Sequence, residues 1–385
     1  MILRRPPSSA PGPHRALLLL VAAGALAWAP ASGAEAGAGD RPASAPAQDD
    51  DEGPGLLRGI EETTGRFRMS VEVDMGAAGV PGVELKLQGT SETQLVMGGQ
   101  ALLSVSRLED VPGGEVVTLL GARDDLGKLF CLSADGSRSA ITYSDGDVTG
   151  EGALVLVDPF ATFRSSTMYV EDGGTISKLF LAPDWEQLSE SRLVRTAADA
   201  GDVLGRLLST PHPAPWFNRT DAGPDPATRH APEHDRLAAF EGSFLAEGED
   251  PARRRYFRAS LVGNGRYLLG VSGAGDPRET ESVDEVVLVG FDSVREVHQM
   301  FRYSGKGAPV VYCEGPARED GELRLRDPFG AWKVRATVAD DGAQTWTWTQ
   351  ARREPVTVAL VPTELPAPRP PSEDEARDPS DRGGD

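Results

Sequence analysis

Apolar and polar residues alternate in short runs along most of the chain. Val71, Val73 and Met75 alternate with Ser70, Glu72 and Asp74, and Leu85 and Leu87 with Glu84, Lys86 and Gln88. Further on, Leu323 and Leu325 alternate with Arg324 and Arg326, and Trp346 and Trp348 with Thr345, Thr347 and Thr349. Val356, Val358 and Leu360 alternate with Thr357 and Ala359. A period of two buries one face of an extended strand and wets the other. Gly and Asp-Gly positions separate the runs roughly every 8–12 residues, the spacing of antiparallel hairpins. Many short strands with no helices between them predict a sandwich or an up-and-down barrel. The hairpins follow one another in sequence, which favours the barrel, because closure leaves no sheet edge exposed.

One stretch departs from this pattern. Asp184 can cap a helix, with Gln187 three residues on as in a capping box. Trp185, Leu188, Leu193, Ala197, Ala200, Leu204 and Leu207 then recur at roughly helical spacing. Gly201 and Gly205 weaken the second half of this predicted helix. Pro211, Pro213, Pro215, Pro224 and Pro226 end it and lead into a loop reaching about Pro232.

An internal repeat organises the rest. When residues 121–174 are laid on 290–343 without a gap, twelve of 54 positions are identical, among them Gly121/Gly290, Tyr143/Tyr312 and the triplets Asp158-Pro159-Phe160/Asp327-Pro328-Phe329. Typical residue usage gives about three or four by chance. Upstream, 95–103 falls on 261–269, and Gly65-Arg66-Phe67 on Gly242-Ser243-Phe244. Two copies of one module are therefore expected, at 57–182 and 234–362, joined by a helix and a Pro-rich linker at 183–233. A period this long means duplicated domains rather than a solenoid.

The ends read differently. Residues 1–34 carry Arg4, Arg5 and Arg15, an apolar run from Ala16 to Trp28, and small residues Ala31-Ser32-Gly33-Ala34 after Pro30. That is the layout of a secretory signal peptide, with an apolar run shorter than the roughly 20 residues a membrane span needs. The expected location is periplasmic or extracellular, with no membrane span after cleavage. Residues 35–56 and the acidic tail 363–385 lack apolar content and predict disorder. The formal charge of −20 argues against nucleic acid as a partner. Cys131 and Cys313, the chain's two cysteines, read as buried free thiols.

At this point the residues support a resemblance. Gly89-Thr90-Ser91 leading to Leu95-Val96-Met97-Gly98-Gly99, then Leu120-Gly121 and Asp135, resembles the bacterial domain of unknown function 1579 family. The second copy matches with Leu261-Val262-Gly263-Asn264-Gly265-Arg266-Tyr267-Leu268 and Val289-Gly290-Phe291-Asp292. The resemblance covers both modules and implies lipocalin-like, calycin-like barrels. It transfers no catalytic residues. In the wider class a Gly-x-Trp entry is usual; Gly65-x-Phe67 and Gly242-x-Phe244 stand in its place. The fold class is thus all-β, two tandem antiparallel up-and-down barrels joined by a helical linker.

Candidate chemistry is sparse. In the Asp-Pro-Phe triplets the Asp is either a ligand anchor or a turn-former, and the turn is favoured, with Phe plugging the barrel. His298 has Leu129 as its counterpart, so the module does not require it. No nucleophile elbow, calcium loop or phosphate-cradling glycine loop is present, and no cofactor is implied. Arg253, Arg254, Arg255 and Arg258 read as a solvated basic strand edge. The second copy holds larger aromatics than the first, at Ala101/Tyr267, Ser177/Trp346 and Leu179/Trp348. Tyr267, His298, Tyr312, Trp346 and Trp348 are the candidate ligand-binding residues. The leading reading is a non-catalytic binder of a small apolar or amphipathic ligand. The alternative is an envelope interaction or scaffold protein with solid barrels. Catalysis ranks lowest, because no set of acid, base and nucleophile recurs in both copies.

Overall fold

The computed structural model describes residues 63–363, except 78–80, 110, 112–113, 124–125, 151, 171–173, 210–229, 248–254, 275–281 and 306–307. The expected leader, the segment 35–56, most of the Pro-rich linker, Arg253, Arg254 and the acidic tail lie outside the described residues.

Two closed ten-stranded barrels form, each an antiparallel meander. Barrel 1 comprises β1 (Gly65–Asp74), β2 (Glu84–Val96), β3 (Ala101–Leu108), β4 (Glu115–Arg123), β5 (Lys128–Asp135), β6 (Thr142–Val148), β7 (Leu154–Val157), β8 (Phe163–Val170), β9 (Gly174–Leu181) and β10 (Glu186–Ala197). Barrel 2 comprises β11 (Gly242–Ala246), β12 (Arg255–Val262), β13 (Tyr267–Ala274), β14 (Val283–Asp292), β15 (Val297–Tyr303), β16 (Val311–Pro316), β17 (Leu323–Arg326), β18 (Trp332–Val338), β19 (Gln344–Gln350) and β20 (Val356–Pro362). Pairing of β1 with β10 and of β11 with β20 closes them. Between the barrels lie α1 (Val203–Ser209), α2 (Pro232–Arg236) and a 3-10 helix (Leu237–Phe240).

The helix predicted from Asp184 is corrected for its first half. Residues Glu186–Ala197 are β10, and only Val203–Ser209 is helical. Barrel 1 therefore extends past the expected boundary at 182. The inward residues of β10 include Ser189 and Ser191, fully buried hydroxyls that an apolar pattern does not count. A register shift beside Leu188 breaks the alternation further. What remains visible is a helix-like spacing of leucines, overridden by pairing with β1 and β9.

The two lumens differ. In barrel 1, Phe67, Met69, Val71 and Leu193 form an apolar cluster. A belt of buried hydroxyls crosses the remainder. The Ser104 hydroxyl lies 3.2 Å from that of Ser91 and 3.1 Å from that of Thr93, and Ser106 donates to Ser91 at 3.0 Å. On the far side Thr167 and Ser177 lie 2.9 Å apart. Barrel 2 places apolar residues in register with several of these, Trp346 for Ser177 and Leu360 for Ser191.

The outer walls of β3 to β5 pack against those of β12 to β15, so one apolar cluster spans both barrels. Gly121 and its repeat partner Gly290 allow this approach. A Cβ on Gly121 would lie 2.6 Å from the Phe130 ring and 3.2 Å from that of Tyr303; on Gly290 it would meet Tyr267 at 2.7 Å. Helix α1 buries Val203, Leu204 and Leu207 in the same cluster.

Both Asp-Pro-Phe triplets occupy the same turn, between β7 and β8 and between β17 and β18. Asp158 accepts backbone N–H groups of Phe160, Thr162 and Phe163, and Asp327 those of Phe329 and Ala331. The aromatic does not plug the barrel. Phe160 is 85% exposed and Phe329 95%, because each ring stands at the tip of its turn, outside the lumen.

Candidate functional site

The candidate site is the lumen of barrel 2. Its period-two register sends Trp332, Trp346, Trp348, Val356 and Val358 inward from the C-terminal strands. From the other wall come Phe257, Ser272, Glu285, Val287 and Arg302. Together they line a cavity of about 550 Å³ that, among the described residues, opens at the end carrying Arg353 and Glu354. That volume is within the range of small-molecule sites.

The opposite end is plugged. Leu237 and Phe240 of the 3-10 helix belong to the apolar cluster of barrel 2. The Phe240 ring meets Trp346 edge-on at 5.8 Å. Trp346 Nε1 donates to Gln344 Oε1 at 3.0 Å, and Gln344 Nε2 donates to the Phe240 carbonyl at 3.0 Å. The floor indole is thereby tied to the plug.

Inside the cavity the indoles of Trp346 and Trp348 lie nearly parallel, 6.2 Å apart and inclined by 16°. They form a flat apolar wall of the kind that accepts ring or chain ligands. The guanidinium of Arg302 lies over the Trp348 ring, 4.4 Å from its centre. Arg302 Nε donates to Glu285 Oε2 at 2.6 Å, and Nη2 pairs with the same oxygen. At the mouth Arg255 grips Asp284 with two bonds of 2.9 and 2.6 Å.

Of the five candidate residues, Trp346 and Trp348 line this cavity. The other three do not. Tyr267 projects from the outer wall of β13 and is fully buried against barrel 1. Its hydroxyl donates to the Arg138 carbonyl at 2.8 Å, with those of Asp135 and Ala140 at 3.0 and 3.3 Å. Tyr312 also points outward, against Phe301, and its hydroxyl bonds to Glu314. His298 faces inward at the plugged end, beside Phe291. Burial pushes its imidazole down to about 4, with the Glu233 carboxylate and backbone acting against that shift.

The repeat had signalled larger side chains in the second copy, but not which face of β13 or β16 is the lumen. Both faces of β13 are buried, one in the barrel and one in the joint. The sequence reading missed Arg302, Glu285 and Ser272. Their signal was a polar residue in phase with inward apolar ones, as in Glu285-x-Val287-x-Val289.

The basic edge is also corrected in part. Arg255 is paired with Asp284, and Arg258 is buried at the joint, where it donates to the Leu208 carbonyl.

No family model and no curated protein sequence matches the chain. Among solved structures it is similar to a protein with unknown function of the DUF3598 family from Nostoc punctiforme. Identity is 9%, over 80% of this chain and 97% of that one, with a TM-score of 0.23. It is also similar to TolB from Acinetobacter baumannii, at 10% identity over 78% of this chain and 64% of that one, with a TM-score of 0.15. Likeness at these scores carries no argument about function, and neither bears on the resemblance to the domain of unknown function 1579 family.

Cys131 and Cys313 are free and buried, and burial pushes both thiols up to about 12. Among the described residues no cluster of three or more His, Cys, Asp or Glu side chains is arranged to hold a metal ion.

Proposed function

We propose that barrel 2 binds one small apolar or amphipathic molecule without catalysis, and that barrel 1 serves as its scaffold. The observation that carries this reading is the cavity of about 550 Å³ walled by three tryptophans, plugged at one end and, among the described residues, open at the other. Apolar surface walled by indoles and left open to solvent is most simply explained by an occupant. The scaffold role of barrel 1 is supported by a lumen occupied by buried apolar and hydroxyl side chains and by the apolar outer wall it gives to the joint. The leader-like pattern of residues 1–34 supports placing this activity outside the cytoplasm.

Titration with the uncharged dye N-phenyl-1-naphthylamine tests the reading. One dye is expected per chain, with binding weakened in Trp348→Ala and abolished in Val358→Trp, which fills the cavity. Undiminished binding in Val358→Trp would place the site elsewhere.

A further inference from the structure

We infer that the Arg302–Glu285 pair makes the barrel 2 cavity selective for uncharged amphipathic ligands, a specificity that rests on the binding role proposed above. Among the described residues, the charges lining the cavity are three arginines, Arg255, Arg302 and Arg353, against three carboxylates, Asp284, Glu285 and Glu354. The inner ones are matched to each other. Arg302 spans the lumen from β15 to the ring of Trp348, and Glu285 of β14 holds it there. The side chains of this pair are 24% and 15% exposed, so water compensates little for a lost partner. Arg255 and Asp284 satisfy each other at the mouth. Arg353 and Glu354 on the rim are exposed, opposite in sign and screened by solvent.

A ligand carboxylate that reaches the remaining N–H groups of Arg302 finds a cation already neutralised by Glu285, so two carboxylates share one guanidinium and one charge is buried uncompensated. A ligand ammonium meets the converse obstacle: the guanidinium already covers the Trp348 face, and at the open oxygen of Glu285 two cations would share one carboxylate. An uncharged amphipath breaks nothing. Its apolar body lies along Trp346 and Trp348, and hydroxyls on its head group reach Ser272 and Glu285. Nε and Nη2 of Arg302 converge on Oε2 of Glu285, so the second carboxylate oxygen keeps its capacity to accept.

The test compares three probes with one chain length: octyl glucoside below its micelle-forming concentration, octanoate and octyltrimethylammonium. Calorimetric titration of the whole chain should show octyl glucoside binding at least about tenfold tighter than either ion. Glu285→Gln frees Arg302 and should raise octanoate affinity about tenfold or more, while Arg302→Gln does the same for the ammonium. The double variant Glu285→Gln/Arg302→Gln is neutral again and should return the order to that of the parent. This internal rescue separates charge matching from damage to the fold.

Parent protein that prefers either ion overturns the inference and leaves the binding role standing. Single variants that keep the parental order do the same. No binding of any probe to the parent or the variants overturns the inference together with the role it rests on.

Discussion

Trp346 and Trp348 stand two residues apart on one strand, yet their truncation should have different consequences. Trp346 is buried, touches Phe240 and Phe257, and its N–H is bonded to Gln344. Trp346→Ala should cost about 3–5 kcal/mol in urea unfolding, the usual range for a large buried aromatic. Trp348 is half-buried, and its alanine variant should lose less stability and more ligand. Equal losses of stability would contradict this division between floor and wall. Tyr267 makes a parallel point. Its ring fills the joint and its hydroxyl is ringed by three carbonyls of barrel 1. Tyr267→Phe should cost about 1–3 kcal/mol, since buried carbonyls lose their donor, and should leave ligand affinity unchanged. At this scale the sequence showed that the second copy carries aromatics, but not where they point. Alternation divides a strand into two faces; it does not say which face is the lumen when the other is buried in a second barrel.

Among the elements, β10 was the least legible. Local spacing suggested a helix, although the repeat already carried the answer. The alternating run 356–360 of the second copy, set back by the offset between Gly121 and Gly290, lands on residues 187–191 of β10. The hidden signal was chemical. Barrel 1 buries hydroxyls where barrel 2 buries apolar side chains, and a pattern counted in apolar residues passes over Ser189 and Ser191. Hydrogen exchange provides the check. Amides of Ser189–Arg195 should exchange as slowly as those of β1, their partner strand. Exchange as fast as that of α1 would mean that β10 does not close the barrel. Elsewhere the strand pattern, the hairpin order and the shared turn of the two Asp-Pro-Phe triplets were readable, because hairpins depend on local turn chemistry.

The whole molecule joins two barrels through one apolar cluster, and two buried histidines sit where barrel 2 meets its plug. Burial lowers His298 to about 4. Burial, with help from Arg266 and His230, lowers His234 to about 3. Both imidazoles are neutral in the folded chain at pH 6, while the unfolded chain takes up protons below its ordinary value of about 6.5. Their stabilising contribution is full above pH 6.5, is lost progressively as pH falls below that, and is gone once pH has passed about 4 for His298 and about 3 for His234. Asp135, raised chiefly by burial, opposes this trend. The urea midpoint should therefore fall between pH 7 and pH 4, and His298→Gln should flatten part of the slope. A midpoint independent of pH would contradict the buried, neutral state of these rings.

The central claim concerns the lumen of barrel 2, and a crystal structure of the chain grown with octyl glucoside tests it most directly. The account predicts one bound molecule inside barrel 2, its chain along Trp346 and Trp348 and its head group beside Glu285, with the Arg302–Glu285 pair intact. A lumen closed by its own side chains, or octyl glucoside bound anywhere but this cavity, would contradict it.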